Sequence, residues 1–113
     1  MFTTLSVLLA GLCLVPAVPK VTAHPHMRAA AEHFGIAWQH YQLIGMAELA
    51  AAAGLVAGLA WRPIGVLAAV GLAVLLGGAI LTHMRSGDSA RRLLPALLML
   101  AIDALYLVIA ITA

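Results

Sequence analysis

Four ionisable side chains lie inside or at the ends of long apolar stretches, and their types and spacing are suited to chemistry. Glu48 and Asp103 each stand within such a stretch, whereas Lys20 and His83 each end one. A carboxylate in an apolar environment is costly unless it holds a proton or meets a partner. These residues therefore indicate either a polar pocket for a ligand or a lock of ion pairs and hydrogen bonds that fixes the helix register.

The composition of the chain points to lipid as its solvent. Of the 113 residues 65% are hydrophobic and 9% charged, and the mean hydropathy is +1.10. A soluble chain of this length cannot bury so much apolar surface. The formal charge of +2 is too small and too scattered to indicate nucleic-acid binding. A single cysteine, Cys13, excludes an internal disulfide and a C-x-x-C redox pair.

Four apolar segments predict an all-α integral membrane four-helix bundle, with residues 1–113 as a single membrane domain. Each segment has the roughly 20 residues that span a hydrocarbon core of about 30 Å. The predicted helices cover about residues 1–19, 41–60, 63–82 and 93–113. The first segment is either an uncleaved transmembrane helix or a signal peptide. We expect the helix, because no positive charge precedes the apolar run.

The first loop carries a helical pattern of its own. Met27, Ala31, Phe34 and Trp38 recur on one helix face, and Gly35 is placed to end the helix. The pattern predicts a short amphipathic helix over about residues 27–35, lying at the membrane interface or under the bundle. The alternative is a solvated loop.

The distribution of Lys and Arg predicts the orientation in a cell membrane. Loops one and three share one side of the membrane, and the termini and the second loop share the other, which carries only Arg62. The positive-inside rule therefore places loops one and three in the cytoplasm and both termini outside. The basic residues of loops one and three are Lys20, Arg28, Arg85, Arg91 and Arg92.

Small residues in the second and third segments indicate close helix packing. Gly54 and Gly58 form a G-x-x-x-G pattern, and Gly45, Gly77 and Gly78 continue the theme. Such residues let helices approach closely in lipid. We expect them to pack helices within the chain, and a homo-oligomer interface is the alternative.

An up-and-down topology brings the polar groups together on the side of loops one and three. Lys20, Glu48 and His83 are predicted to converge there with His40 close by, whereas Asp103 lies deeper. A pocket and a lock are equally supported for Glu48, and a lock is favoured for Asp103. For Lys20 we favour an interfacial anchor, since long basic side chains extend towards the headgroups.

The histidines give little support for a metal site. They lack an H-E-x-x-H motif or a Cys/His cluster, so no metal is expected. No Ser or Cys has a recognisable base partner, and no glycine-rich turn indicates nucleotide binding. The histidines concerned are His24, His26, His33, His40 and His83.

Several stretches, in order along nearly the whole chain, resemble the DoxX-like membrane proteins. YQLIGMAEL at residues 41–49 is similar to the family's IGxxEL stretch, and GGAILTHMRSGD at residues 77–88 resembles its GAxxTHxRxGD stretch. LVPAVPK at 14–20 resembles the end of the family's first helix, AEHFGI at 31–36 its loop helix, and LPA at 94–96 the start of its last helix.

The resemblance implies a four-helix membrane bundle, but not one settled activity. Some relatives are linked to quinone-dependent sulfur oxidation, others to redox or thiol-stress complexes, and distant ones to assembly of membrane proteins. The characteristic positions of the family fall on Lys20, Gly45, Glu48, His83, Arg85 and Asp88.

Three classes of function follow from this combination. We expect an accessory or assembly subunit of a larger membrane complex, with the lipid bilayer and other subunits as partners and no cofactor. The alternative is a quinone- or redox-linked membrane subunit with its pocket around Glu48. A small transporter or proton pathway is the third class, because Glu48 and Asp103 lie at depth.

Overall fold

The chain folds into five helices joined by short turns. The structure is a computed structural model and describes residues 1–112. The helices are α1 (Phe2–Val21), α2 (Pro25–Phe34), α3 (Trp38–Ala57), α4 (Arg62–Arg85) and α5 (Ala90–Thr112). The predicted all-α class is confirmed.

The helix ends differ from the predicted ones by one to three residues. The predicted end of the last helix, at residue 113, lies outside the described residues. α3 begins before the predicted start and α4 continues beyond the predicted end. At the end of α4 the reason is that capping, and not the edge of the apolar run, decides where a helix stops. At Gly35 and Gly87 the backbone takes the left-handed conformation, with φ of 68° and 70°. The amides after them bond back to Ala31 and His83, as in a Schellman motif.

The four long helices pack side by side in a closed ring. α1 contacts α3 most extensively, α3 contacts α4, α4 contacts α5, and α5 returns to α1 in the smallest of these interfaces. The short α2 lies across one end of the ring against α1 and α3. Leu9, Leu55 and Leu72 form the centre of the apolar core. We call the end covered by α2 the α2 end.

The outer surface of the ring is strongly apolar. Val15 on α1, Leu67 on α4 and Val74 on α4 are 70%, 73% and 71% exposed. Exposed side chains of this kind are typical of a surface that meets lipid. Within residues 1–112, three helices are long and apolar enough to cross a membrane, namely α1, α4 and α5. The sequence predicted four spans, and α3, which starts with polar residues, is not among the three.

Candidate functional site

Lys20 and Glu48 form a buried ion pair between α1 and α3. Lys20 Nζ donates to Glu48 Oε1 at 2.7 Å, and both residues are 8% exposed. On a helix the side chain leans towards the N-terminus, so Lys20 near the end of α1 points into the ring. The interpretation of Lys20 as an outward-reaching interfacial anchor is therefore wrong. Its ammonium group neutralises Glu48 instead.

The neighbours of the pair hold α1 close to α3. A Cβ atom added to Gly45 would lie 2.6 Å from Lys20 Cβ, so only glycine leaves room for the lysine stem. The Lys20 ammonium lies 4.9 Å from the centroid of the Tyr41 ring, within cation–π range. Gln42 Nε2 donates to the carbonyl oxygen of Val21 at 3.1 Å. Three successive contacts therefore fix the ion pair in one register.

His83 takes part in a second cluster, centred on Asp88 in the turn between α4 and α5. His83 Nδ1 donates to Asp88 Oδ2 at 2.6 Å, and His33 Nε2 donates to Asp88 Oδ1 at 2.8 Å. The Arg92 guanidinium lies 3.7 Å from Oδ1. The hydrogen bonds from His33 and His83 hold the pKa of Asp88 below its ordinary range.

We call His33, Asp88 and His83 the loop cluster. It ties α2 to the C-terminal end of α4, because His33 belongs to the first and His83 to the second. Gly87 places Asp88 in reach of His83 by turning the chain back at the end of α4. Within residues 1–112, no three His, Cys, Asp or Glu side chains are grouped so as to hold a metal ion.

Aromatic rings separate the loop cluster from the ion pair. The Phe34 ring lies edge-on to His83, with centroids 5.0 Å apart, and 6.4 Å from the Tyr41 ring on its other side. His83 thus has its hydrogen bond to Asp88 and not to Lys20 or Glu48. The polar groups predicted to converge at this end form two clusters with an aromatic wall between them.

Asp103 lies apart from both clusters, deep in the ring. It is fully buried, and neither of its carboxyl oxygens has a hydrogen-bond partner within residues 1–112. The hydroxyl of Tyr106, one turn further along α5, is also buried without such a partner there. Unpaired buried polar groups are rare in folded proteins, so both of them call for an explanation.

The remaining predicted residues divide into those in contact and those on the surface. His40 is exposed in the first turn of α3 and makes no hydrogen bond or ion pair in the part of the chain the structure describes. Gly54 faces Ala68, and Gly58 faces Gly65 at the α3–α4 crossing. Added Cβ atoms at Gly77 and Gly78 would meet nothing within 4 Å, so these two positions pack against no other helix of residues 1–112.

Sequence reasoning overlooked the central role of Asp88 and the participation of His33. Asp88 was marked only through the family resemblance, and His33 only as one of several loop histidines. The available signal was the glycine before Asp88: a left-handed residue after a helix ending in His-Met-Arg turns the next side chain back towards that histidine.

Comparison with known proteins gives one match. The model of the DoxX-like family matches residues 4–110. No curated protein and no solved structure matches the chain. The match includes Lys20, Glu48 and Asp103, and it covers the three helices that are long and apolar enough to cross a membrane almost completely. The chain is a multi-pass membrane protein and belongs to the DoxX-like family.

Proposed function

We propose that this protein is a four-span membrane subunit whose role is to associate with another membrane protein. The observation that carries the proposal is the Lys20–Glu48 ion pair, in which Lys20 Nζ and Glu48 Oε1 are 2.7 Å apart. A buried carboxylate neutralised in this way holds the register of the two helices. The most polar site in the core therefore serves the architecture of the ring, and the outer surface is left for recognition.

The fourth span in this proposal is α3. It has 20 residues, enough for about 30 Å of hydrocarbon. Its one acidic residue is neutralised by Lys20, which lowers the cost of placing it in lipid. α2 then lies at the interface as an amphipathic helix. Ala31 is buried against the ring, while the His33 side chain is 43% exposed.

The face that we assign to a partner is the outer side of α4. Gly71, Val74 and Gly78 recur there at helical spacing, and Cβ atoms added to the two glycines would meet nothing within 4 Å. Val74 between them is 71% exposed. Small residues of this kind allow a second helix to approach closely in lipid. The occupant proposed is a helix of a different membrane protein.

Site-specific photo-crosslinking in native membranes tests this assignment. A photoreactive residue at Val74 is expected to capture a second membrane protein. The matched control is Val15 on α1, which has nearly the same exposure, 70%, and is expected to capture lipid only. Capture of lipid alone at both positions contradicts the proposal. Capture of a second copy of this chain at Val74 replaces it with a homo-oligomer.

A quinone-linked role is the second candidate, and one observation favours it. An apolar groove of about 510 Å³ runs between α1 and α3, the two helices that carry the ion pair, and Glu48 itself does not line it. A groove of this size suits an amphipathic ligand with a long apolar tail. The lining residues are Ala10, Leu14, Leu49, Ala52, Ala53, Val56 and Ala57.

Lipid extracts of the purified protein test the quinone-linked role. If the groove binds quinone, quinone co-purifies with the protein and is lost in Ala53→Phe, which fills the groove. Ala104→Phe, at an exposed position on α5, is the control and keeps it. Quinone that is absent from the unaltered protein, or unchanged in Ala53→Phe, removes this candidate.

A further inference from the structure

Asp103 raises a separate question, because nothing in the ion-pair lock or the loop cluster uses it. Its side chain is fully buried, and its two oxygens have no hydrogen-bond partner within residues 1–112. An isolated carboxylate in hydrocarbon is so costly that the group takes up a proton instead. The carboxyl group of Asp103 is thus stable in this position only in its protonated form.

Buried polar residues of α1 form a row along the ring. On α1, Ser6, Cys13 and Lys20 follow one another at seven-residue intervals, and all three are buried. Seven residues of helix rise about 10.5 Å, so the row extends over about 21 Å along α1. We call these three residues, together with Glu48, Asp103 and Tyr106, the polar row.

Two titratable groups lie within electrostatic range of Asp103, one on α1 and one on α5. α1 contributes Cys13, which lies within electrostatic range of both Asp103 and Glu48. α5 contributes Tyr106, which lies one turn from Asp103 and interacts electrostatically with it, with Ser6 on α1 and with Arg62 on α4. Lys20 is already paired with Glu48. No cation within residues 1–112 forms an ion pair with Asp103, which keeps the protonated form as its stable state.

We propose that Asp103 is a proton-binding site, and that its proton exchanges with the aqueous phase at the α2 end through the part of the polar row formed by Cys13, Glu48 and Lys20. In the step, the O–H bond of the Asp103 carboxyl breaks as its proton passes to the Cys13 sulfur, and the proton that the Cys13 thiol held passes to the Glu48 carboxylate. One carboxyl O–H bond is broken, one is formed, and the thiol is left as it was. Lys20 keeps its charge, and Glu48 becomes neutral until it passes the proton to water. Asp103 takes up its next proton by the same route in reverse.

Infrared spectroscopy of the protein in liposomes tests the site. A protonated carboxyl group has a C=O stretch well separated from the bands of a carboxylate. The unaltered protein at neutral pH is expected to show this band, and Asp103→Asn, which keeps the shape of the side chain, is expected to lose it. Asp88→Asn is the control and keeps it. Carboxylate bands alone, or a protonated band that survives in Asp103→Asn, overturn the assignment.

Transfer into heavy water tests the route. Deuteration shifts the C=O band, so the rate of the shift reports exchange at Asp103. The shift is expected in the unaltered protein and is expected to be slowed in the double variant Lys20→Met/Glu48→Leu, which removes the α2 end of the polar row. An equal rate in both proteins overturns the route. A band that never shifts shows a trapped proton and overturns exchange itself.

Each variant is first checked for helical content and a single elution peak in mild detergent. Asp103→Asn and Asp103→Leu are both examined. The Asn side chain keeps the polar shape of Asp, and the Leu side chain matches the apolar surroundings. The protonated band must vanish in both variants if it belongs to Asp103. Loss in neither variant assigns the band to another residue and contradicts the proposal.

Discussion

Glu48 and Asp103 both carry carboxyl groups buried within apolar helices, but the surroundings of the two groups are opposite in kind. Glu48 receives a lysine ammonium at 2.7 Å, whereas Asp103 receives no hydrogen bond from residues 1–112. The local sequences around them are similar, with one acidic residue in an apolar run. The state of a buried acid is therefore decided by the helix that faces it and not by its own segment.

The two helix interfaces explain the difference. At the α1–α3 interface, Gly45 leaves space for the Lys20 stem, and the side chain reaches inward to the acid. At the smaller α1–α5 interface, the α1 side offers Ser6, Cys13 and apolar residues. A thiol or hydroxyl cannot neutralise a carboxylate, so the Asp103 carboxyl group stays neutral by keeping its proton.

The largest effect is expected when Glu48, like Asp103, is left without a cationic partner. Lys20→Met leaves a buried carboxylate without its cation and is expected to lower the free energy of unfolding by about 3–5 kcal/mol. Unfolding in mixed detergent micelles, followed by circular dichroism, measures the change.

The double variant Lys20→Met/Glu48→Leu is the matched control for this change. Replacing both partners of a buried ion pair by apolar residues is often neutral or stabilising, so most of the loss should be recovered. If the single and the double variant are equally destabilised, the cost comes from the lost packing of the lysine stem and not from the orphaned charge.

The second effect concerns the space at Gly45 that lets the Lys20 side chain reach Glu48. Gly45→Ala places a methyl group against Lys20 Cβ and is expected to destabilise the protein by about 1–3 kcal/mol. Gly77→Ala is the control, because an added Cβ there meets nothing within 4 Å. The same unfolding measurement applies, and equal stability of the two variants would show that α1 can move away without cost.

The third effect has the opposite sign and concerns Asp103. Asp103→Leu removes a buried carboxyl group without a hydrogen-bond partner and is expected to stabilise the protein by about 1 kcal/mol, at the lower end of the penalty for such groups. The comparison with Lys20→Met is direct, since both variants change one buried polar residue to an apolar one. A destabilised Asp103→Leu would mean that the carboxyl group has a partner after all.

The smallest effect belongs to the carboxylate outside the apolar core. Asp88 has its pKa lowered by His33 and His83, so its stabilising contacts are complete above the ordinary carboxyl value of about 3.9 and are lost as the pH falls below it. We therefore expect α2 to loosen from the ring below about pH 4.

Trp38 fluorescence in a Trp61→Phe background reports this loosening, because Arg28 of α2 lies over the Trp38 ring at 4.8 Å. Asp88→Asn serves as the reference and should give the loosened signal already at neutral pH. Identical emission from both proteins at every pH would show that the loop cluster does not hold α2.

Much of the fold could be predicted because lipid imposes simple rules on a sequence. Apolar length gave the long helices, and Gly35 gave the end of α2. The grouping of Lys20 with Glu48 followed from an up-and-down topology, without any knowledge of side-chain directions. These features depend on local pattern and chain direction, and both are readable in one sequence.

The pairing of His83 was not predictable in the same way. Its partner depends on the backbone angle of Gly87 and on the Phe34 ring that lies between His83 and Tyr41. Neither produces a periodic signal. The isolation of Asp103 was equally hidden, since it depends on which residues of α1 face α5. A lock was favoured there, but the structure gives no hydrogen-bond partner for its carboxyl oxygens within residues 1–112.

The tight crossing at Gly58 and Gly65 has a consequence for the order in which the chain assembles during synthesis. A Cβ on Gly58 would lie 2.5 Å from Gly65 Cα, and the two residues are only seven positions apart. Contacts between near neighbours form first, so α3 and α4 can close as a hairpin while α5 is still being made. Lys20 and Glu48 have both been synthesised by then. The helix that carries Asp103 is made last and packs against three helices that are already present.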